Sequence, residues 1–295
     1  MPAPRYNASV MVRRQAVAAL LGAGARTIAG APKSLSSLVG AVPGAALLVD
    51  VRTRQLIAIH APNLAGALLV PPGSAIKPFT LQALLQAGKI KTDESFPCPG
   101  NLEIGGNSFA CSHPQMAAAM RIPTALAYSC NCFVAHFAER FAPNELPAHL
   151  NRCGFGSRSG WFGDSEASGR VQPANTREIQ QLQAIGEGSV LVTAAAMALA
   201  YRLLAVSAAE PIRSGLEGAV GFGTAQHARV AGVRVAGKTG SVRAADGAMI
   251  AWFAGFAPSR APSVVVTVMV QARSGGADAA PVAGRILEAH LARRL

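Results

Sequence analysis

The chain has 295 residues, of which 51% are hydrophobic and only 14% charged, and its formal net charge is +12. So much apolar material supplies a packed core and excludes a disordered or collagen-like polypeptide. The basic residues are dispersed, mostly as single arginines, and only 5% of residues are aromatic, which disfavours nucleic-acid binding; the charge reads as attraction to an anionic cell wall or membrane surface.

Arg13 and Arg14 precede a weakly apolar Ala/Gly-rich stretch over residues 16–31, which Arg26 interrupts, and no acid occurs before Asp50. This pattern reads as an export signal of the twin-arginine kind or an N-terminal anchor. The competing reading is an ordinary Ala-rich helix, and the segment is too short and polar for a clear membrane span. Export, to the periplasm or cell envelope, is the favoured expectation. Residues 32–43, rich in Ser, Gly and Pro, are expected to be a linker, and residues 44–295 the folded domain.

Residues 45–51 and 55–60 are short apolar runs around Arg52-Thr53-Arg54, a predicted β-hairpin in which Asp50 is a turn residue. After Pro71-Pro72-Gly73 a helical pattern begins at Ser74 and runs to Gln86. Gly105-Gly106-Asn107 predicts a second hairpin, bracketed by Cys98 and Cys111, which could close a disulfide in an exported chain. The remaining cysteines, Cys130, Cys132 and Cys153, read equally well as buried thiols, and the odd total leaves at least one free. No Cys/His spacing of the zinc type occurs, so no metal is expected, and the six histidines read as structural or exposed. Residues 116–128, broken by Pro123, and 132–141 have helical periodicity, and Thr193 caps a helix over 194–206. Residues 233–238, 249–256 and 263–271 predict strands, and 279–291 an amphipathic helix. The order predicts an α+β fold: an antiparallel sheet built from N- and C-terminal strands, flanked by helices, with an inserted, mainly helical lobe.

Three short motifs occur in order: Ser74-Ala75-Ile76-Lys77, Ser129-Cys130-Asn131 and Lys238-Thr239-Gly240. Each is weak alone; their joint appearance, each in a fitting setting, is a much stronger signal. A serine hydroxyl needs a neighbouring base to become a nucleophile. Ser74 and Lys77 are three apart and share a helix face, and the first helical turn favours developing negative charge. Burial and nearby cations would lower Lys77 enough to serve as that base. Ser129 can relay a proton to a leaving amine, and the Asn131 amide can hold a substrate carbonyl. Lys238 and Thr239, on an edge strand, offer charge and a hydroxyl to a carboxylate, and Gly240 lets substrate backbone lie close. The backbone N–H groups of Ser74 and Ser241 would form an oxyanion hole.

These motifs resemble those of the transpeptidase domain of penicillin-binding proteins. The likeness extends through Pro71-Pro72-Gly73-Ser74 with Lys77-Pro78-Phe79, Ala184-Ile185-Gly186-Glu187-Gly188, Gly223-Thr224-Ala225, Ala236-Gly237-Lys238-Thr239-Gly240 and Trp252-Phe253-Ala254-Gly255. Glu187 stands where Gln is commoner, Ser241 where Thr is, and the first hairpin turn lacks its usual glycine. The family's large N-terminal modules have no counterpart in the first 43 residues. The resemblance implies a D,D-transpeptidase or D,D-carboxypeptidase that acylates Ser74 with peptidoglycan stem peptides and binds β-lactam antibiotics covalently. It implies no cofactor, and N-terminal membrane association fits it. Two alternatives stay open: a serine β-lactamase, and a non-catalytic penicillin-binding sensor or scaffold. Asn131 disfavours a class D β-lactamase, whose corresponding residue is hydrophobic. Glu166 is the acid a class A enzyme would need, but its Glu-Ala-Ser-Gly setting resembles a structural turn of the penicillin-binding proteins.

Overall fold

The computed structural model describes residues 35–292, so the expected signal over residues 1–31 lies outside the described residues. Helix α1 (Leu35–Val39) precedes the hairpin of β1 (Gly44–Asp50) and β2 (Leu56–His60). Helix α2 (Pro62–Ala67) and a 3-10 turn (Gly73–Ile76) lead into α3 (Lys77–Gln86). A small hairpin, β3 (Glu103–Ile104) with β4 (Asn107–Ser108), precedes α4 (Ile122–Ala127), α5 (Asn131–Ala138) and α6 (Glu145–Arg152). The short pair β5 (Arg170–Val171) and β6 (Val190–Leu191) flanks α7 (Arg177–Ile185), and α8 (Ala194–Ser207) and α9 (Glu210–Gly221) complete the helical lobe. Strands β7 (Ala236–Arg243), β8 (Met249–Ala257) and β9 (Val264–Gln271), then α10 (Ala280–Leu291), follow.

The five-stranded sheet has the order β2-β1-β9-β8-β7, and every neighbouring pair is antiparallel. It is therefore built from both ends of the chain with helices inserted between, the α+β arrangement that the order of elements predicts. Side chains alternate between its faces. Leu47, Val49, Trp252 and Ala254 pack into the core of the helical lobe. Ala46, Leu48, Phe253, Val266 and Val268 pack on the opposite face against Ile286 and Leu287 of α10. Both faces being covered, β9 reads as a continuous apolar run instead of alternating with polar residues.

The first hairpin turn closes without glycine because Arg54 itself takes the left-handed conformation, φ 64°. Asp50 accepts hydrogen bonds from Thr53 N at 2.6 Å and Thr53 Oγ1 at 2.8 Å, which pull its carboxyl below the usual range. In the β3–β4 turn, Gly105 (φ 56°) and Gly106 (φ 77°) supply the two left-handed residues that a two-residue hairpin needs.

Several boundaries differ from expectation: the strand expected over 233–238 runs over Ala236–Arg243, and the helix expected over 132–141 runs over Asn131–Ala138. Part of the predicted linker is structure: Leu35 and Val39, four apart on α1, are buried against the α10 side of the sheet. The helix expected from residue 116 starts at Ile122, because Pro123 sits in its first turn, where its missing N–H costs nothing, and Thr124 Oγ1 accepts from Arg121 N. The helix expected from Ser74 begins as a 3-10 turn and becomes α-helical only at Lys77.

Candidate active site

Ser74 lies in the 3-10 turn, half-buried, and Lys77 N donates to Ser74 O as that turn closes. Residues three apart eclipse one another in 3-10 geometry, so Ser74 and Lys77 share a face, as the spacing predicts. Close backbone packing fixes the turn from three sides. Gly73 has φ 52°, and a Cβ there would stand 2.4 Å from Val242 Cγ1 of β7. A Cβ on Gly186, after α7, would stand 2.0 Å from Gly73 O, and Gly73 N donates to Gly186 O at 3.2 Å. A Cβ on Gly240 would meet Pro72 O at 2.8 Å and Trp252 Cβ at 3.3 Å. Gly240 thus has a reason other than substrate approach: its missing side chain admits the Ser74 turn.

Two hydrogen bonds from buried side chains complete the clamp. Trp252 Nε1 donates to Pro71 O at 2.9 Å, and the Tyr201 hydroxyl donates to Ala75 O at 2.8 Å. Neither residue is visible as a site residue in the sequence, since each looks like an ordinary aromatic of a core element. Only the register that sets Trp252 opposite Gly240 reveals its role.

Lys77 Nζ, fully buried, donates to Ser129 O at 2.7 Å, Asn131 Oδ1 at 2.5 Å and Ser129 Oγ at 3.3 Å. All three ammonium donors are thus directed at the second motif. Burial pulls Lys77 down to about 8, against smaller opposing effects of Cys130, Cys111 and Glu187. On losing a proton the amine gives up one of these donors and gains a lone pair, which is what a general base requires. Ser129 has φ 59°, a strained conformation for a residue with a side chain. Cys130 caps α5, and Asn131 opens it. Asn131 Nδ2 donates to Ala110 O at 3.4 Å, so its amide is engaged within the protein instead of standing free for substrate.

The third motif lies on β7, an edge strand of the sheet. Lys238 is fully buried, and its Nζ donates to Thr239 O at 3.0 Å. Burial, then the charge of Lys77, hold it well below the usual lysine range. Thr239 Oγ1 donates to Thr224 Oγ1 at 2.9 Å, and Ser241 Oγ accepts from Gly275 N at 2.9 Å. Ser241 N would lie 3.5 Å from a Cβ on Gly73, which brings this strand alongside the Ser74 turn. Among the described residues no ion pair engages Lys77 or Lys238. Glu187 is the carboxylate whose charge acts on Lys77, and its own burial raises it.

Glu166 is 1% exposed and accepts from Ser159 N at 2.5 Å and Gly160 N at 2.9 Å, one on each carboxylate oxygen. Its loop is pinned to α2 by Ala167 N donating to Gly66 O at 2.9 Å. Beside the Ser129 turn, Cys98, Cys111, Cys130 and Cys132 are gathered as free thiols, with 3.7 Å between Cys98 Sγ and Cys111 Sγ. Sequence spacing brings Cys98 and Cys111 together across the hairpin but gives no sign that the start of α5 carries Cys130 and Cys132 to them.

The penicillin-binding protein transpeptidase domain family matches residues 44–288, and the chain belongs to that family. It is similar to stage V sporulation protein D of Bacillus subtilis (strain 168), with 26% identity over 265 residues. That match takes in 73% of this chain and 41% of the relative, so the chain spans less than half of that protein's length. The fold is that of a Burkholderia ambifaria peptidoglycan glycosyltransferase (TM-score 0.79, 23% identity, 90% of this chain and 96% of the other). It is equally that of Pseudomonas aeruginosa PBP2, solved in complex with WCK 5153 (TM-score 0.78, 21% identity, 88% and 76%). Helicobacter pylori PBP2, solved in complex with MreC, matches with TM-score 0.78 and 19% identity over 88% and 62%.

Proposed function

We propose that this protein is a serine acyltransferase of peptidoglycan synthesis, a D,D-transpeptidase or D,D-carboxypeptidase, with Ser74 as nucleophile. The carrying observation is the convergence of Ser74, Lys77, Ser129 and Lys238, two of them buried lysines, beside an open strand edge. A stem peptide adds to the β7 edge as an extended strand, its terminal carboxylate toward Lys238 and Thr239. The arriving carboxylate supplies the anion Lys238 lacks, which favours its charged form. Ser74 Oγ attacks the penultimate D-Ala carbonyl as Lys77 takes its proton. The N–H groups of Ser74 and Ser241 hold the oxyanion, and Ser129 passes a proton to the leaving D-Ala amine. An amine or water then accepts the acyl group. β-Lactams acylate the same serine, and the site works in the cell envelope after export.

Glu166 weighs against the β-lactamase alternative. Deacylation of the class A kind needs a carboxylate holding a water over the ester, whereas both Glu166 oxygens accept from loop amides. The intact set of proposed catalytic groups weighs against a degenerate enzyme, whereas a penicillin-binding sensor would keep the same residues and is told apart by turnover of a D-Ala-D-Ala peptide. The test is intact-mass analysis and peptide mapping after exposure to a saturating β-lactam. One adduct is expected on the Ser74 peptide, absent in Ser74→Ala. An unmodified chain, or an adduct that survives Ser74→Ala, would overturn the proposal.

A further inference from the structure

The cysteines beside the active site form more than a pair. Cys98 Sγ lies 3.7 Å from Cys111 Sγ and 3.4 Å from Cys130 Sγ, and Cys111 Sγ lies 3.8 Å from Cys130 Sγ. His113 Nε2 is 3.6 Å from Cys98 Sγ, and the four candidate ligand atoms all lie within 4.8 Å of one another. Tetrahedral zinc with Zn–S of about 2.3 Å and Zn–N of about 2.0 Å places its ligand atoms roughly 3.5–3.8 Å apart. Three of these edges, Cys98–Cys111, Cys111–Cys130 and Cys98–His113, fall at 3.6–3.8 Å, and Cys98–Cys130 is shorter at 3.4 Å.

The histidine is set in the protonation state a metal needs. Its Nδ1 lies 2.7 Å from Pro114 O, and a carbonyl oxygen can only accept. Nδ1 therefore carries the proton, and the Nε2 lone pair is the one turned to Cys98. A backbone carbonyl on the far nitrogen is the usual support of a metal-binding histidine. Cys132 is set apart, since its Sγ donates to Asn101 O at 3.3 Å, although it lies 3.5 Å from Cys111 Sγ. A disulfide is the competing arrangement, but it joins one pair at about 2.0 Å. Three sulfurs at near-equal separations favour no one pair over another.

We propose that Cys98, Cys111, Cys130 and His113 bind one zinc ion, which ties the β3–β4 hairpin segment to the Ser129-Cys130-Asn131 turn. Thiolate and imidazole ligands in a tetrahedron suit zinc above harder divalent cations. The ion has a structural task here. The hairpin itself is only two residue pairs long, too little to hold its place by pairing alone. Cys130 joins the proposed catalytic Ser129 to Asn131, so an ion on its sulfur fixes the turn to which Lys77 donates.

The test is anaerobic titration of the reduced, chelator-stripped full chain with cobalt(II). The expected result is visible d–d absorption with thiolate-to-cobalt charge transfer, saturating at one equivalent and bleached by zinc. Cys111→Ser and His113→Ala should each weaken binding roughly tenfold or more, while Cys132→Ser and Cys153→Ser keep it. Circular dichroism of His113→Ala, whose side chain is half-exposed, checks that the fold persists. Metal loading should also speed β-lactam acylation of Ser74 over the stripped chain, a readout separate from the cobalt bands. No cobalt bands, bands indifferent to His113→Ala, or a Cys98–Cys111 disulfide in a metal-free isolated chain would overturn the site. Acylation indifferent to the metal would overturn its tie to the turn.

Discussion

The two turns that meet at Lys77 are held in opposite ways. The Ser74 turn is gripped by backbone packing through Gly73, Gly186 and Gly240 and by buried donors from Trp252 and Tyr201. The Ser129 turn has a strained residue at its centre, and on its hairpin side it meets a two-pair hairpin with half-exposed cysteines. The first is gripped by the close approach of β7 and α7, whereas the second, anchored by backbone bonds to α4 and the buried Cys130, meets polar contacts on its hairpin margin. Close packing tolerates no added atom, while a polar margin can be adjusted by what binds to it.

The largest break in this comparison should come at Gly186. Its φ of 90° and the 2.0 Å approach of Gly73 O mean that Gly186→Ala adds backbone strain and a clash together. Denaturant unfolding should show a loss of about 2–4 kcal/mol, with slower acylation. A loss within experimental error would mean the clamp is looser than the packing implies. Next comes Trp252→Phe, which takes from the half-buried Pro71 O its indole donor. A loss of about 1–3 kcal/mol is expected, and an unchanged unfolding midpoint would remove Trp252 from the clamp.

A pH profile sharpens the other side. Burial pulls Lys77 down to about 8, and in the proposed mechanism only its neutral form can take the Ser74 proton. Acylation should therefore rise with pH, roughly tenfold per unit below that value, and level off above it. A rate that falls across the same interval would assign the proton transfer to another group.

Much of this was legible in the sequence, for reasons that can be stated. Strand patterns that alternate or run continuously apolar lead to the sheet, and three short motifs lead to Ser74, Lys77, Ser129 and Lys238. The linker reading failed at Leu35 and Val39, because two apolar residues one turn apart are too few to register as periodicity. Gly240 was assigned to substrate, because only β7–β8 register discloses that Pro72 and Trp252 fill the space at its missing side chain. The cysteines were read by spacing along the chain, which could not reveal that α5 carries Cys130 to the hairpin that holds Cys98 and Cys111.

The most direct test of the account is the lifetime of the β-lactam acyl-enzyme, followed by intact mass in the wild-type chain and in Glu166→Gln. On the proposed mechanism Lys77 serves acylation, while both Glu166 oxygens accept from loop amides, which weighs against Glu166 as a second base for hydrolysis. The adduct should persist for many minutes in both proteins, since a placed general base is worth roughly 10²–10⁴-fold and none serves this step. Free enzyme returning within seconds, at a rate that collapses in Glu166→Gln, would contradict the account and establish a β-lactamase.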